Sequence, residues 1–128
     1  MWNNRGDPVL HIELRKWAHF LLIAPLSANT LAKISSGLCD NLLTLVCRAW
    51  PMQKMPNEGR LKQPIVVCPS MNTMMWDHPI TENQLTVLKS WGYEILGPVS
   101  KKMMCGDVGN GAMSEVKDIV KYMVGKLA

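Results

Sequence analysis

The 128-residue sequence predicts a three-layer α/β fold built on a mostly parallel sheet. Two continuous apolar runs carry this prediction, Phe20–Ala24 and Ile65–Cys68. Strands covered on both faces of a parallel sheet are apolar throughout, whereas half-exposed strands alternate with polar residues. A proline follows each run and is expected to end it. Segments with helical periodicity separate the runs, as in βαβ units.

The remaining elements follow from capping residues and apolar spacing. Six helices are predicted, over 8–18, from 27 or 29 to 36, from 40 or 41 to 50, and over 73–76, 81–91 and 115–127. Asp7 is available to cap the first, and Thr81 is expected to cap the fifth, whose apolar stripe is Leu85, Leu88 and Trp91. A short third strand is predicted at 93–96. The segments 51–63 and 97–112 are predicted to be loops, and the second, rich in glycine and lysine, looks functional.

Three strands are few for such a sheet, since the mean is about five to six. The first helix also has no strand before it in the sequence. Both observations lead to the expectation that strands are missing upstream or are supplied by another chain. We therefore expect one domain over 1–128 that corresponds to the C-terminal portion of a larger fold.

Charge and cysteine content narrow the functional classes. The net charge of +4 is mild, and no basic run is interleaved with aromatic residues, which gives nucleic-acid binding little support. A phosphorylated small molecule suits this charge equally well. No CxxC pair or histidine cluster at zinc spacing is present, so no metal is expected. Cys39, Cys47 and Cys68 lie in apolar surroundings, as buried thiols in a reducing compartment do. With no apolar run long enough to span a bilayer, a cytoplasmic location is expected.

The ends of the two apolar strands are the first candidate sites, because ligands bind beyond the carboxyl ends of parallel strands. After the first comes Ser27-Ala28-Asn29-Thr30, which leads into a helix N-terminus whose free N–H groups suit an anion or an electron-rich ring. Simple N-capping by Ser27 or Asn29 is the alternative. After the second comes the segment 69–76, in which Asn72 can orient a carboxylate or an amide. The alternative is a turn asparagine among core methionines.

Two further residues have types that suit proton transfer. His11 lies at the edge of the apolar stripe of the first helix, where it is either a packing residue or a base. Cys105 lies in a polar, glycine-rich segment close to Lys101 and Lys102, and nearby positive charge lowers a thiol pKa. A loop cysteine with no role is the alternative.

Together these motifs resemble those of the phosphopantothenoylcysteine decarboxylases, a family of flavin-containing cysteine decarboxylases. Residues 7–18 resemble the family's catalytic-histidine helix, and Ser27–Thr30 resembles its flavin-contacting turn. Residues 37–43 are also typical of the family. Pro69–Trp76 matches its P-x-M-N-x-x-M-W substrate motif at every fixed position, and 105–111 resembles the flap with the active-site cysteine. The similarity runs essentially from Trp2 to the end of the chain.

The resemblance implies a flavodoxin- or Rossmann-like fold and FMN-dependent decarboxylation of 4′-phosphopantothenoylcysteine to 4′-phosphopantetheine in coenzyme A biosynthesis. In that chemistry the substrate thiol is oxidised to a thioaldehyde, carbon dioxide leaves, and the enethiol is reduced. The resemblance implies catalytic roles for His11 as base and Cys105 as proton donor. It implies that the substrate is bound by Asn72, Met75, Lys102, Met103 and Met104. It implies that FMN is bound by Ser27, Ala28, Asn29, Thr30 and Ser70.

Family members are trimers with shared active sites, so a homotrimer is expected. The family's N-terminal strands, including the turn that holds the FMN phosphate, have no counterpart here. A non-catalytic or truncated subunit of the same fold is therefore the alternative function. A flavin-dependent decarboxylase of peptide cysteines is a further alternative, less well matched along the chain.

Overall fold

The computed structural model describes residues 9–56, 59–102 and 108–127. Within these ranges the helices are α1 (Leu10–Trp17), α2 (Ala28–Ser36), α3 (Leu42–Ala49), α4 (Thr73–Asp77), α5 (Pro79–Ser90) and α6 (Val116–Leu127). The strands are β1 (Leu21–Leu26), β2 (Ile65–Pro69), β3 (Glu94–Ile95), β4 (Val99–Lys102) and β5 (Val108–Ala112). Among the helices of these ranges, none has the length and apolar character needed to cross a membrane.

The main sheet has the order β1-β2-β3, with both pairs of neighbours parallel. The two predicted apolar strands are therefore adjacent, with Leu21 opposite Ile65 and Ile23 opposite Val67. The central strand β2 is buried along its whole length, as its continuous apolar sequence predicts.

Two hydrophobic clusters lie on opposite faces of this sheet. Ile65 and Val67 of β2 belong to the larger cluster, which also contains buried residues of α2, α3 and α5. Val66 and Cys68, the alternate residues of the same strand, pack with Ile119 and Met123 of α6. Because successive strand residues point to opposite faces, helices cover both sides of the sheet. The predicted three-layer α/β fold is confirmed.

The starts of α2 and α3 agree with the predicted caps. Ser27 caps α2, and Gly37 ends that helix with a left-handed φ of 80°. Asn41 caps α3 in a capping box, since the Asn41 side chain accepts from Thr44 N and the Thr44 hydroxyl accepts from Asn41 N. At α1 the N-cap position is Val9, without a side-chain cap, and the predicted cap Asp7 lies outside the described residues.

The prediction that Pro25 ends the first strand was wrong. Strand β1 continues through Pro25 to Leu26, although the pairing with β2 shifts register between Ile23 and Leu26. Within the described part of the chain β1 lies at the edge of the sheet, where a proline without an N–H group is tolerated. Ala24 and Pro25 are exposed, so the carboxyl half of β1 is not covered on both faces as predicted.

The prediction that Thr81 caps the fifth helix was also wrong. His78 is the N-cap of α5, since its Nδ1 accepts a hydrogen bond from Ile80 N at 3.1 Å, and Pro79 occupies the first turn. Thr81 instead lies buried one turn inside the helix. Trp91 is 37% exposed and follows the end of α5, so Leu85 and Leu88 alone form the predicted buried stripe.

The segment 97–112 is more regular than the predicted loop. Strands β4 and β5 pair antiparallel, with Val99 opposite Ala112 and Lys102 opposite Val108. The hairpin forms a two-stranded sheet of its own, separate from the parallel sheet. Residues 103–107, between the two strands in the sequence, lie outside the described residues and include the predicted site residues Met103, Met104 and Cys105.

Candidate functional site

The ends of β1 and β2 are joined by a hydrogen bond. Ser70 N, directly after β2, donates to the carbonyl oxygen of Leu26, the last residue of β1, at 3.0 Å. The predicted flavin-contacting turn, Ser27–Thr30, and the predicted substrate motif after Pro69 therefore leave the sheet side by side. We call these two segments the carboxyl edge. The structure thus brings together Ser27, Ala28, Asn29, Thr30, Ser70, Asn72 and Met75 on one edge of the sheet.

The hydroxyl of Ser27 caps α2. It accepts from Thr30 N at 3.1 Å and donates to Thr30 Oγ1 at 3.1 Å. The capping role is therefore confirmed for Ser27 rather than Asn29. The N–H groups of Ala28 and Asn29 have no acceptor within the described residues, because the first turn of a helix lacks intrahelical partners. Together with the helix dipole they can hold an anion or an electron-rich ring.

Asn72 is the N-cap of α4. Its Oδ1 accepts from Met75 N at 3.0 Å, a capping role that the sequence analysis did not predict for this residue. This hydrogen bond also fixes the orientation of the amide, so that Nδ2 points away from the helix. Asn72 is exposed, and its Nδ2 has no acceptor within the described residues. The side chain therefore keeps two N–H donors for a ligand carboxylate while it serves as a cap.

The methionines of the segment Ser70–Trp76 divide into core and surface residues. Met71 and Trp76 pack against the larger cluster, whereas Met74 is 82% and Met75 47% exposed. The hydroxyl of buried Thr81 donates to Met75 O at 2.7 Å, which holds the backbone of this segment in place. The exposed methionines thus lie on a hydrogen-bonded turn, from which they can cover a bound molecule.

The hairpin is attached to this turn through Gly111, a residue that the sequence analysis did not single out. Met71 N donates to Gly111 O at 2.9 Å. Gly111 has a φ of 100°, and a Cβ atom there would collide with Met71 O and approach Trp76 Cβ to 3.0 Å. A glycine is therefore required where the hairpin meets the carboxyl edge. The hairpin also contains the backbone of Lys102, one predicted substrate residue.

His11 lies on α1, which packs against α3. Three residues connect α1 to β1, so the end of the helix lies close to the start of the strand. Nδ1 of His11 and Nε of Arg15 are buried without a hydrogen-bond partner among the described residues. Such orphaned groups cost free energy unless a ligand or another chain supplies a partner. No described hydrogen bond joins His11 to Ser27–Thr30 or Asn72.

Burial disfavours the thiolate form of two of the cysteines. Burial raises the pKa of the Cys47 thiol to about 11 and also raises that of Cys68. Their predicted burial is confirmed, whereas Cys39 is only half-buried. Among the described residues, no group of histidine, cysteine and carboxylate side chains could hold a metal ion.

The chain is similar to known proteins in sequence and fold. It is 55% identical over 120 residues to the phosphopantothenoylcysteine decarboxylase of Mus musculus, covering 94% of this chain and 54% of that protein. A solved structure of a cysteine-to-serine mutant of PPC decarboxylase, complexed with pantothenoylaminoethenethiol, superimposes with a TM-score of 0.84 at 51% identity, covering 95% of this chain and 62% of that one. The FMN binding protein AtHal3 superimposes with a TM-score of 0.81 at 52% identity, covering 95% and 61%.

The chain spans about half the length of the curated relatives that it matches. Its fold agrees with the flavodoxin-like α/β fold expected from the sequence, since it superimposes on both solved structures. The model of the Flavoprotein family matches the whole of residues 1–128. On sequence and fold alike, the chain belongs to the Flavoprotein family.

Proposed function

We propose that the chain forms part of an FMN-dependent enzyme that decarboxylates 4′-phosphopantothenoylcysteine to 4′-phosphopantetheine in coenzyme A biosynthesis. The observation that carries the proposal is the pairing of the two strand-end segments by the Ser70–Leu26 hydrogen bond, which sets a helix N-terminus beside a fixed amide. The 55% identity to the mouse decarboxylase supports the same reaction.

The residues present fit the flavin. Ser27, Ala28, Asn29, Thr30 and Ser70 would bind FMN, and the unpaired N–H groups of Ala28 and Asn29 are donors that suit an electron-rich ring. When bound, FMN supplies the two-electron oxidation and reduction on which this redox-neutral decarboxylation depends. The orphaned Nδ1 of His11 supports the fit, because it indicates a face of the protein that is completed by another molecule.

Asn72 would hold the carboxylate that leaves as carbon dioxide. The amide is preoriented by its bond to Met75 N, so binding does not have to order it. A neutral donor suits this task because it binds the carboxylate without a full positive charge, which would stabilise the ground-state anion against loss of carbon dioxide. Exposed Met75 would cover the substrate from the same turn.

His11 would act as the base of the oxidative half, taking the proton from the substrate as electrons leave it. Cys105 would return a proton in the final reduction, with Lys102, Met103 and Met104 contacting the substrate from the hairpin. The hydrogen bond between Met71 and Gly111 supports this arrangement, because it ties the base of the hairpin to the Asn72 turn.

We further propose a homotrimer in the cytoplasm, with active sites shared between subunits. The buried and unpartnered Nδ1 of His11 supports shared sites, because a second subunit can supply the missing partner. The three described cysteines are free thiols, as expected in a reducing compartment.

Cofactor binding is the first test. The purified 128-residue chain is incubated with FMN, free flavin is removed by gel filtration, and the visible spectrum is recorded. Retained flavin absorbance would support the proposed cofactor site. A folded but colourless protein would contradict FMN binding by this chain on its own. Gel filtration of the same sample measures the proposed trimer.

Turnover tests the substrate. Mass spectrometry follows loss of carbon dioxide from 4′-phosphopantothenoylcysteine, with a peptide ending in cysteine as the competing substrate. We expect His11→Asn to block oxidation, and Cys105→Ser to accumulate the oxidised enethiol. Unchanged product formation by either variant would remove that residue's role, and preference for the peptide would contradict the proposed substrate.

Asn72 allows a matched pair of variants. Asn72→Asp retains the capping oxygen but replaces the N–H donors with a second oxygen, so it should fold normally and lose turnover by at least about 100-fold. Asn72→Ser also retains a cap and removes the amide donors, without adding charge. If both variants turn over substrate at the wild-type rate, Asn72 is only a cap.

A further inference from the structure

A second concave site lies at the opposite end of the sheet from the carboxyl edge. It is a cavity of about 400 Å³ among the ends of α2 and α5, the middle of α3 and the segment after α3. Helix α2 begins at the carboxyl edge and runs for nine residues, which carries the chain about 13 Å back along the sheet. We call this site the amino-end cavity. Its volume is in the range of small-molecule sites.

The floor of the amino-end cavity is apolar and uncharged. Ile34, Cys47 and Tyr93 line it and are each at least nine-tenths buried. The ring of Trp91 meets Tyr93 edge to face, with centroids 6.0 Å apart, and forms a wall. Burial raises the pKa of both Cys47 and Tyr93, so both remain neutral at physiological pH. The surroundings suit a flat aromatic ring.

The rim of the cavity, in contrast, carries two positive charges. Arg48 and Lys54 line it, and none of the lining residues has a carboxylate. The absence of a side chain at Gly37 lets the Arg48 guanidinium lie close, since a Cβ atom there would be 3.3 Å from Nη1. Lys54 Nζ donates to Ser90 O at 3.3 Å, which holds its ammonium at the end of α5.

These two charges are not neutralised within the described residues. The nearby carboxylate of Asp40 is already paired with Lys33 at 3.1 Å, and no ion pair of Arg48 or Lys54 is present in the described part of the chain. An apolar slot beneath two unpaired cations is complementary to a molecule with one ring and one acidic group.

We propose that the amino-end cavity binds a small aromatic carboxylate, with its ring against Trp91 and Tyr93 and its carboxylate between Arg48 and Lys54. This site shares no residue with the proposed FMN and substrate site, so its occupancy does not depend on decarboxylase activity.

Calorimetry with 2-naphthoate tests this proposal, with 2-naphthalenemethanol as the neutral probe of similar shape. The 128-residue chain should bind the acid at least about tenfold more tightly than the alcohol, because charge-assisted hydrogen bonds form only with the acid. Arg48→Gln should weaken binding of the acid about tenfold and Lys54→Gln about fivefold. Lys62→Gln is the matched control in the same segment, outside the cavity, and should change the affinity less than about twofold.

Several results would overturn the proposal. These are equal affinity for acid and alcohol, no binding of 2-naphthoate at millimolar concentration, or the same effect of Lys62→Gln as of Arg48→Gln. Thermal unfolding establishes that each variant is folded. If Arg48→Gln does not fold, Arg48→Lys, which retains the charge, should bind within about threefold of wild type while Lys54→Gln still weakens binding. Adding FMN should leave the affinity for 2-naphthoate unchanged. A failure of 2-naphthoate to bind can then be distinguished from a failure of the proposed enzyme function.

Discussion

At the carboxyl edge of the sheet, backbone hydrogen bonds hold the polypeptide and the side chains of Ser27, Asn29 and Asn72 remain exposed. At the amino-end cavity the reverse is true, since buried side chains such as Cys47 and Tyr93 form the site. At the carboxyl edge, therefore, the backbone fixes the positions of the two segments, and their exposed side chains are available to contact a ligand. The other end creates an environment of low polarity, in which shape and desolvation dominate.

The largest effect is expected from a substitution that breaks the backbone attachment of the hairpin to the carboxyl edge. Gly111→Ala forces a Cβ atom into Met71 O at a φ of 100°, so it should lower the free energy of unfolding by about 2–4 kcal/mol. Gly125→Ala is the control, because nothing lies within 4 Å of a Cβ atom at that position of α6. It should be neutral or stabilise by up to about 1 kcal/mol. Urea unfolding measures both, and equal stability of the two variants would show that the hairpin does not depend on this contact.

The next effect tests the low polarity of the amino-end cavity. The pKa of Cys47 is raised from 9.0 to about 11, because burial favours the neutral thiol in the folded state. The neutral thiol's contribution to the free energy of unfolding is therefore complete below pH 9 and is lost as the pH rises toward 11 and beyond. A shift of this size corresponds to about 2–3 kcal/mol. Cys47→Ala should therefore lose less of its free energy of unfolding between pH 8 and pH 11 than the wild type does. Urea unfolding at both values checks this, and equal losses would mean that the thiol is in contact with water.

The smallest effect concerns the cap at the start of α2. Ser27→Ala removes the acceptor for Thr30 N and should lower the free energy of unfolding by about 1 kcal/mol, whereas Ser27→Asp should stay within a few tenths. Ser36→Ala, whose hydroxyl donates to carbonyls in the last turn of the same helix, should change stability by less than about 0.5 kcal/mol. Should Ser27→Ala prove as mild as Ser36→Ala, the cap would not contribute to holding the carboxyl edge.

The parallel sheet was predictable because β2 is a continuous apolar run, and a central strand has few alternatives for burying both faces. The wrong predictions arose where the local sequence favours more than one structure. Thr81 has good capping chemistry, but His78-Pro79 precedes it, and a proline in the first turn is a helix-start signal that could have been used. The β4–β5 hairpin was missed because Val108–Ala112 contains two glycines and lacks alternation of apolar and polar residues.

The site was predictable in part. Polar residues after apolar strands identify the carboxyl edge, and the sequence predicts which segments meet there. The sequence does not reveal that the amide oxygen of Asn72 caps a helix while its NH2 group stays free, because this depends on the position of Met75 N. The amino-end cavity was not foreseen at all, since its walls come from segments far apart in the sequence, such as Gly37 and Trp91.

The two hydrogen bonds that assemble the carboxyl edge, Ser70 N to Leu26 O and Met71 N to Gly111 O, have a consequence for how this scaffold can be altered. Both use only main-chain atoms, so replacing the side chains of Ser70 or Leu26 removes neither donor nor acceptor. Among these positions backbone geometry restricts the choice of residue at Gly111, and full burial restricts it at Leu26. An engineer could therefore exchange the exposed side chains of the neighbouring turns for others while the loops keep their relative placement, so that binding of new ligands can be sought without redesigning the backbone.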